Sequence, residues 1–277
     1  MNYDRYLNQS IAAVPPSGIR RFFDLAATMK DAISLGVGEP DFVTPYHIRN
    51  AAINSILDGE TQYTGNRGLP ELLREISIYL ETRYGTSYHP EKEIVVTVGA
   101  SEAIDIALRA MVSPGDEVLV PEPSYVSYSP SVIFAGGKPV GVETTHEDAF
   151  RLKPEKVLRA ITPKTKALIL PYPNNPTGGI MERADLEALA KVVRDKEIMV
   201  ISDEIYSELT YGDQPHVSFA SLPGMWDYTV TINGMSKAFA MTGWRVGYLC
   251  GPEPLIREML KIHQYAIMCA PRAGQVA

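Results

Sequence analysis

The chain has 277 residues, with 26 Lys plus Arg against 33 Asp plus Glu and a formal charge of −7. Hydrophobic residues make up 45% and charged ones 21%, a globular balance with enough chain for a substantial core in one large or two modest domains. The acidic balance argues against nucleic acid or an anionic membrane as the main partner.

The first forty-odd residues are rich in Pro and Gly (Pro15, Pro16, Gly36, Gly38, Pro40) and short of strand pattern, so an arm or part of a second small lobe is expected there. From Ile94 onward, strand-like and helical runs alternate. Ile94–Val98 reads as a strand, and Glu102–Met111 as a helix with Ile104, Ala107, Leu108 and Met111 at helical spacing. The best membrane-span candidate, Ile94–Val112, is broken by Glu102, Asp105 and Arg109. Glu117–Val120 and Lys166–Leu170 read as strands. Glu182–Lys196 is an amphipathic helix carrying Leu186, Leu189, Ala190 and Val193 on one face. Ile198–Ile201 is a continuous apolar run, as in a strand buried on both faces. Thr229–Ile232 and Val246–Cys250 complete the strands, and Pro254–Cys269 reads as a long helix whose apolar side needs covering. The alternation predicts an α/β protein, with helices on both sides of a mainly parallel sheet.

Cys250 and Cys269 make no disulfide framework and lack metal-ligand spacing. The five histidines show no ligand spacing either, so no metal site is expected. Met1–Arg5 has no apolar stretch, and a cytoplasmic protein with two reduced core thiols is expected.

The chemistry concentrates at strand ends, where open α/β sheets carry their sites. Gly99-Ala100-Ser101 is a tight turn opening a helix, with free N–H groups and a hydroxyl suited to a phosphate. Tyr125 follows the Glu117 strand and can stack on a ring. Asn175, in the turn Asn174–Gly178, can point an amide into the crevice. Asp203 follows the buried Ile198 strand, where an acid is costly unless it meets a cation such as a pyridinium nitrogen. Tyr206 can join Asn175 in donating to a phenolate oxygen on that ring, and Arg245 can fork onto phosphate oxygens. Lys237 lies alone in the mostly uncharged stretch Asn233–Gly247. Its ammonium should be driven towards a neutral, nucleophilic amine of the kind that makes a Schiff base.

Five stretches then carry a resemblance across nearly the whole chain. They are Gly36-Val37-Gly38-Glu39-Pro40-Asp41-Phe42, Tyr63-Thr64-Gly65-Asn66-Arg67-Gly68-Leu69, Asn174–Gly178, Ser202–Tyr206 and Ser236–Gly247. In this order they resemble the class I/II aminotransferases, pyridoxal-phosphate enzymes of fold type I in the aspartate-aminotransferase-like group. The resemblance implies a three-layer α/β/α large domain over residues 46–277, with a mainly parallel mixed sheet, preceded by an N-terminal arm or part of a small lobe over 1–45. It implies that Lys237 joins the aldehyde of pyridoxal 5′-phosphate and moves the substrate's proton. Asp203 would pair with the ring nitrogen, Asn175 and Tyr206 with the phenolate oxygen, and Tyr125 with the ring face. Ala100, Ser101, Glu102, Ser236 and Arg245 would hold the phosphate. In a homodimer Tyr63 would reach the partner subunit's phosphate. Gly38, Tyr125 and Asn175 would meet the substrate.

The implied reaction moves an amino group between an L-amino acid, of aspartate, alanine or aromatic type, and a 2-oxo acid such as 2-oxoglutarate. Two departures stand out. Relatives often carry a serine three residues before the lysine, where this chain has Gly234. The family's carboxylate-clamping arginine belongs to a C-terminal small domain that the 277 residues are expected not to reach, and neither Arg257 nor Arg272 takes its place. A C–S β-lyase, or a fragment that holds cofactor without turnover, uses the same motifs. A remote alternative is an α/β-hydrolase using Ser101 with Asp203 and His216 or His263.

Overall fold

A computed structural model describes residues 1–18, 25, 28–29 and 38–277. Its strands are β1 (Ile94–Thr97), β2 (Glu117–Glu122), β3 (Lys138–Glu143), β4 (Thr165–Pro171), β5 (Met199–Asp203), β6 (Thr229–Gly234) and β7 (Gly247–Cys250). They form a seven-stranded sheet in the order β1-β7-β6-β5-β4-β2-β3. The β3–β2–β4–β5–β6 run is parallel, whereas β7 is antiparallel to both of its neighbours. Among the described residues the α-helices are α1 (Gln9–Ala12), α2 (Tyr46–Leu57), α3 (Pro70–Tyr84), α4 (Pro90–Glu93), α5 (Gly99–Met111), α6 (Tyr128–Phe134), α7 (Pro154–Ala160), α8 (Arg183–Lys196), α9 (Met235–Ala238), α10 (Glu253–Ala266) and α11 (Arg272–Val276).

Side chains of each central strand alternate between two helical layers. Ile169, Ile201, Val230, Ile232 and Leu249 share one core with Ala103, Ile104 and Ala107 of α5 and Ile256 and Met259 of α10. Leu168, Leu170 and Val200 face the other way, onto Leu186, Leu189 and Val193 of α8 and Val157 of α7. On that second side, at the β1–β7 edge, Ile94, Val96 and Tyr248 pack on Leu73, Ile76 and Leu80 of α3. The result is the expected three-layer α/β/α sandwich. Local chemistry agrees with it. Helix α8 opens on a reciprocal cap in which Glu182 and Asp185 satisfy each other's backbone N–H, and closes on Arg194 and Lys196. Helix α3 starts at Pro70 and stops at left-handed Gly85.

Three readings need correction. Strand β3 carries no clear sequence signal because it is an edge strand, largely half-exposed, with Pro139 and Gly141 in it. Helix α10 ends at Ala266 and its apolar side is already covered by α5, with Ile256, Met259 and His263 buried. Cys250 is a core thiol, but Cys269 is only half-buried. No helix among the described residues is long and apolar enough to cross a membrane.

Candidate active site

A cleft of about 610 Å³ opens at the carboxyl rim of the parallel strands. Gly38, Ala100, Ser101, Tyr125, Asn175, Asp203, Tyr206, Ser236, Lys237 and Arg245 all line it. The turns after β1, β2, β4, β5 and β6 deliver most of these side chains. Arg245 arrives differently, because it precedes β7 rather than following a strand. The reversal of β7 puts its beginning on the same rim, with Gly247 opposite Gly234 of β6.

Asp203 is the last residue of β5, flanked in the sheet by Pro171 and Ile232. Its side chain is buried. One carboxylate oxygen accepts the Tyr128 hydroxyl at 2.8 Å and the other the Ile205 N–H at 3.2 Å. Among the described residues no cation pairs with it. Burial, reinforced by the neighbouring Glu204 charge, lifts the Asp203 pKa from 3.8 to about 6, against the pull of those two hydrogen bonds.

Lys237 sits on α9, the single turn that β6 runs into. Its Nζ donates to the Gly38 carbonyl and lies 5.4 Å from the Tyr206 ring centroid. Burial lowers the ammonium's pKa, helped by Arg245 and opposed by Glu39, as its apolar setting in the sequence suggests. Asn175 donates its amide to the Tyr206 hydroxyl at 3.4 Å. Burial, with the charge of Asp203, keeps that hydroxyl protonated beyond the ordinary tyrosine range. Tyr125 stands edge-on to Tyr128, with ring centroids 5.6 Å apart and planes at 84°.

The corner where α5 opens beside Arg245 is built by close backbone approach. Gly99, at φ +73°, opens α5, and a Cβ there would run into the Arg245 guanidinium. Arg245 is itself left-handed, at φ +56°, and donates to the Thr242 carbonyl at 3.0 Å. At Gly234 a Cβ would lie 2.8 Å from Gly247 Cα and 2.9 Å from the Val246 carbonyl oxygen. The β6–β7 contact therefore leaves no room for the serine of relatives.

Two candidates stand apart from the cleft. The Glu102 carboxylate turns back to accept the Val98 N–H at 2.5 Å and meets His263 Nδ1 at 2.6 Å. Tyr63 is 77% exposed. Gly36 and Val37 lie outside the described residues. The hydrolase alternative loses its base, since His216 is bound to Glu204 at 3.0 Å and His263 to Glu102, and neither lines the cleft.

Tyr128 escapes the sequence reading. It lies 75 residues from Asp203 in the chain, and nothing local distinguishes it from a packing aromatic. The end of the arm is also tied in. Thr44 donates to the Ala240 carbonyl at 2.6 Å and accepts the Trp244 indole at 3.0 Å, while Thr242 donates to Glu39 at 3.1 Å.

The family model for aminotransferase class I and II matches residues 30–277. YugH of Bacillus subtilis is 52% identical over 272 residues, covering 98% of this chain and 70% of its own length. The chain belongs to the class I and II aminotransferases. An aspartate aminotransferase of Pyrococcus abyssi is 47% identical, over 95% of this chain and 68% of that one. The solved structure of Thermus thermophilus aspartate aminotransferase with maleate superposes with a TM-score of 0.93 at 40% identity, covering 98% of this chain and 71% of that one. The sandwich is thus the large domain of pyridoxal-phosphate fold type I, and the family uses that cofactor.

The donor set of this aminotransferase fits the group. A buried carboxylate that pairs with no cation among the described residues answers a protonated ring nitrogen. An amine of lowered pKa answers an aldehyde. Arg245, against the N–H groups that open α5, answers a phosphate.

Proposed function

We propose that this chain exchanges an amino group between an L-amino acid and a 2-oxo acid, using pyridoxal 5′-phosphate held by the cleft. The observation that carries this reading is the convergence of Lys237, Asp203 and Arg245 on one cleft, each with the character its partner group requires. Bound there, the cofactor supplies an aldehyde that takes up an amine and a ring that accepts the electron pair released at the substrate's Cα.

The protein does the rest. Lys237 Nζ would act as the base that moves the proton between the substrate's Cα and the cofactor's C4′. Asp203 keeps a proton on the ring nitrogen facing it, and Tyr128 fixes the orientation of that carboxylate. Asn175 and Tyr206 hold the ring's oxygen substituent, and Tyr125 covers a ring face. Ser236, Arg245 and the Ala100-Ser101-Glu102 backbone anchor the phosphate. Gly38 and Asn175 meet the substrate's carboxylate. Aspartate, alanine and aromatic amino acids are the proposed donors and 2-oxoglutarate the proposed acceptor.

The working unit is proposed to be a cytoplasmic homodimer of large domains over 46–277, each with its arm over 1–45. Exposed Tyr46, Ile53, Leu57 and Tyr63 support an interface on that side, and two unpaired cysteines support a reducing compartment. In the test, purified chain is loaded with cofactor, reduced with borohydride and mapped by mass spectrometry, and a second sample is mixed with aspartate, alanine or tyrosine. Labelling at Lys237 and conversion of the cofactor to its amine form are expected. Labelling elsewhere sinks the assignment, and thiol release from a cysteine conjugate without amine-form cofactor makes the chain a C–S lyase.

A further inference from the structure

The α5–α10 interface pairs the half-buried Glu102 with the buried His263, a contact for which the chemistry above has no use. Glu102 is the acidic residue in the first turn of α5, the turn whose Ala100 and Ser101 line the cleft. A helix N-terminus favours any anion, because its N–H groups lack intrahelical partners and the dipole is positive there. A mobile Glu102 carboxylate would therefore compete with a phosphate for the same N–H groups and repel it. In the structure it cannot do so. One oxygen is fixed by the Val98 N–H at 2.5 Å and the other by His263 Nδ1 at 2.6 Å. His263 is fully buried on α10, and its Nε2 has no partner among the described residues. Among the described residues the ring's one polar engagement is thus its grip on Glu102.

We propose that His263 is a positioning residue for cofactor binding, which tethers the Glu102 carboxylate behind α5 and so keeps the phosphate seat free of negative charge. This rests on reading the first turn of α5 as that seat.

The test uses the full chain and two ligands, pyridoxal 5′-phosphate and pyridoxal, which lacks the phosphate, with affinities read by fluorescence titration. His263→Leu is expected to weaken pyridoxal phosphate about tenfold, the scale of one close charge repulsion, and to leave pyridoxal unchanged. His263→Leu combined with Glu102→Gln should recover the lost affinity, because the released group is then uncharged. Glu102→Gln alone leaves the backbone N–H that is proposed to meet the phosphate, keeps an acceptor for Val98 and removes only the side-chain charge, so it should hold pyridoxal phosphate at least as well as the parent. This last variant reads the same question if His263→Leu does not fold. Equal weakening of both ligands, or no recovery in the double variant, overturns the tether and leaves His263 a packing residue. Weaker pyridoxal phosphate binding by Glu102→Gln alone also overturns it. A parent chain that binds pyridoxal as tightly as its phosphate overturns the seat itself, and the tether with it.

Discussion

Asp203 and Glu204 are adjacent in sequence, both buried, and served in opposite ways. Asp203 faces the cleft with, among the described residues, two hydrogen bonds and no cation. Glu204 faces away from it and accepts the Ser202 and Ser218 hydroxyls at 2.8 and 3.0 Å and the Phe219 N–H at 3.2 Å, with His216 at 3.0 Å completing the set. A carboxylate that only holds the fold is saturated by its neighbours, because an unmet buried charge is expensive. One that must receive a ligand is left short. Burial pushes the Asp203 pKa up to about 6, and its two hydrogen bonds only partly oppose that rise.

The contrast can be broken, starting at the cleft. Lys237→Ala should abolish borohydride labelling and lower turnover by about a thousandfold or more, with the melting temperature little changed; retained labelling would remove the cleft's claim to the chemistry. Asp203→Asn should lower turnover about a hundredfold or more while the chain stays as stable as the parent or more so. Glu204→Ala should do the reverse in its first effect, costing about 3 kcal/mol in a urea melt through orphaned Ser202, Ser218 and His216. If the two variants behave alike, the distinction between them fails.

A pH series sharpens the same point. Asp203 binds its proton more tightly folded than unfolded, so the cofactor-free chain should lose stability as pH rises from about 4 to about 6, by about 3 kcal/mol at most. That loss should be absent from Asp203→Asn when urea midpoints are compared across the interval. Tyr128→Phe removes a hydrogen bond that favours the ionised acid. It should raise the Asp203 pKa further and cost about tenfold in turnover, seen as a shifted acid limb of the rate profile. The smallest effect expected is from Tyr63→Phe, a few-fold faster cofactor loss from the dimer. Unchanged loss from a verified dimer would take Tyr63 out of the site.

Much of this site is legible along the chain because it is made of turns, and turns announce themselves. Strand β5 reads as an apolar run since both of its faces are covered, and the acid that closes it, Asp203, is conspicuous. What cannot be read is pairing across distance. Tyr128 reaches Asp203 and His263 reaches Glu102 through sheet and helix packing, with no local mark. The same holds for Gly234, which reads as a missing phosphate contact until the backbone of Gly247 is found where a side chain would stand. The reversed direction of β7 was equally hidden, because a four-residue apolar strand looks the same from either end.

That reversal has a consequence for how the cleft withstands thermal motion. Lys237 and Arg245 lie on one short connection between paired antiparallel strands, so few residues separate the amine proposed to bond the cofactor from the guanidinium proposed to grip its charge. The entropy of closing such a loop is small and grows only slowly with length. Their spacing is therefore set by local chain geometry closed by the β6–β7 ladder, and it should persist through openings of the sheet that carry Asn175 or Tyr125 away. Hydrogen exchange would register this as a slow amide at Met235, which donates across to the Val246 carbonyl at 3.1 Å, beneath a faster-exchanging rim.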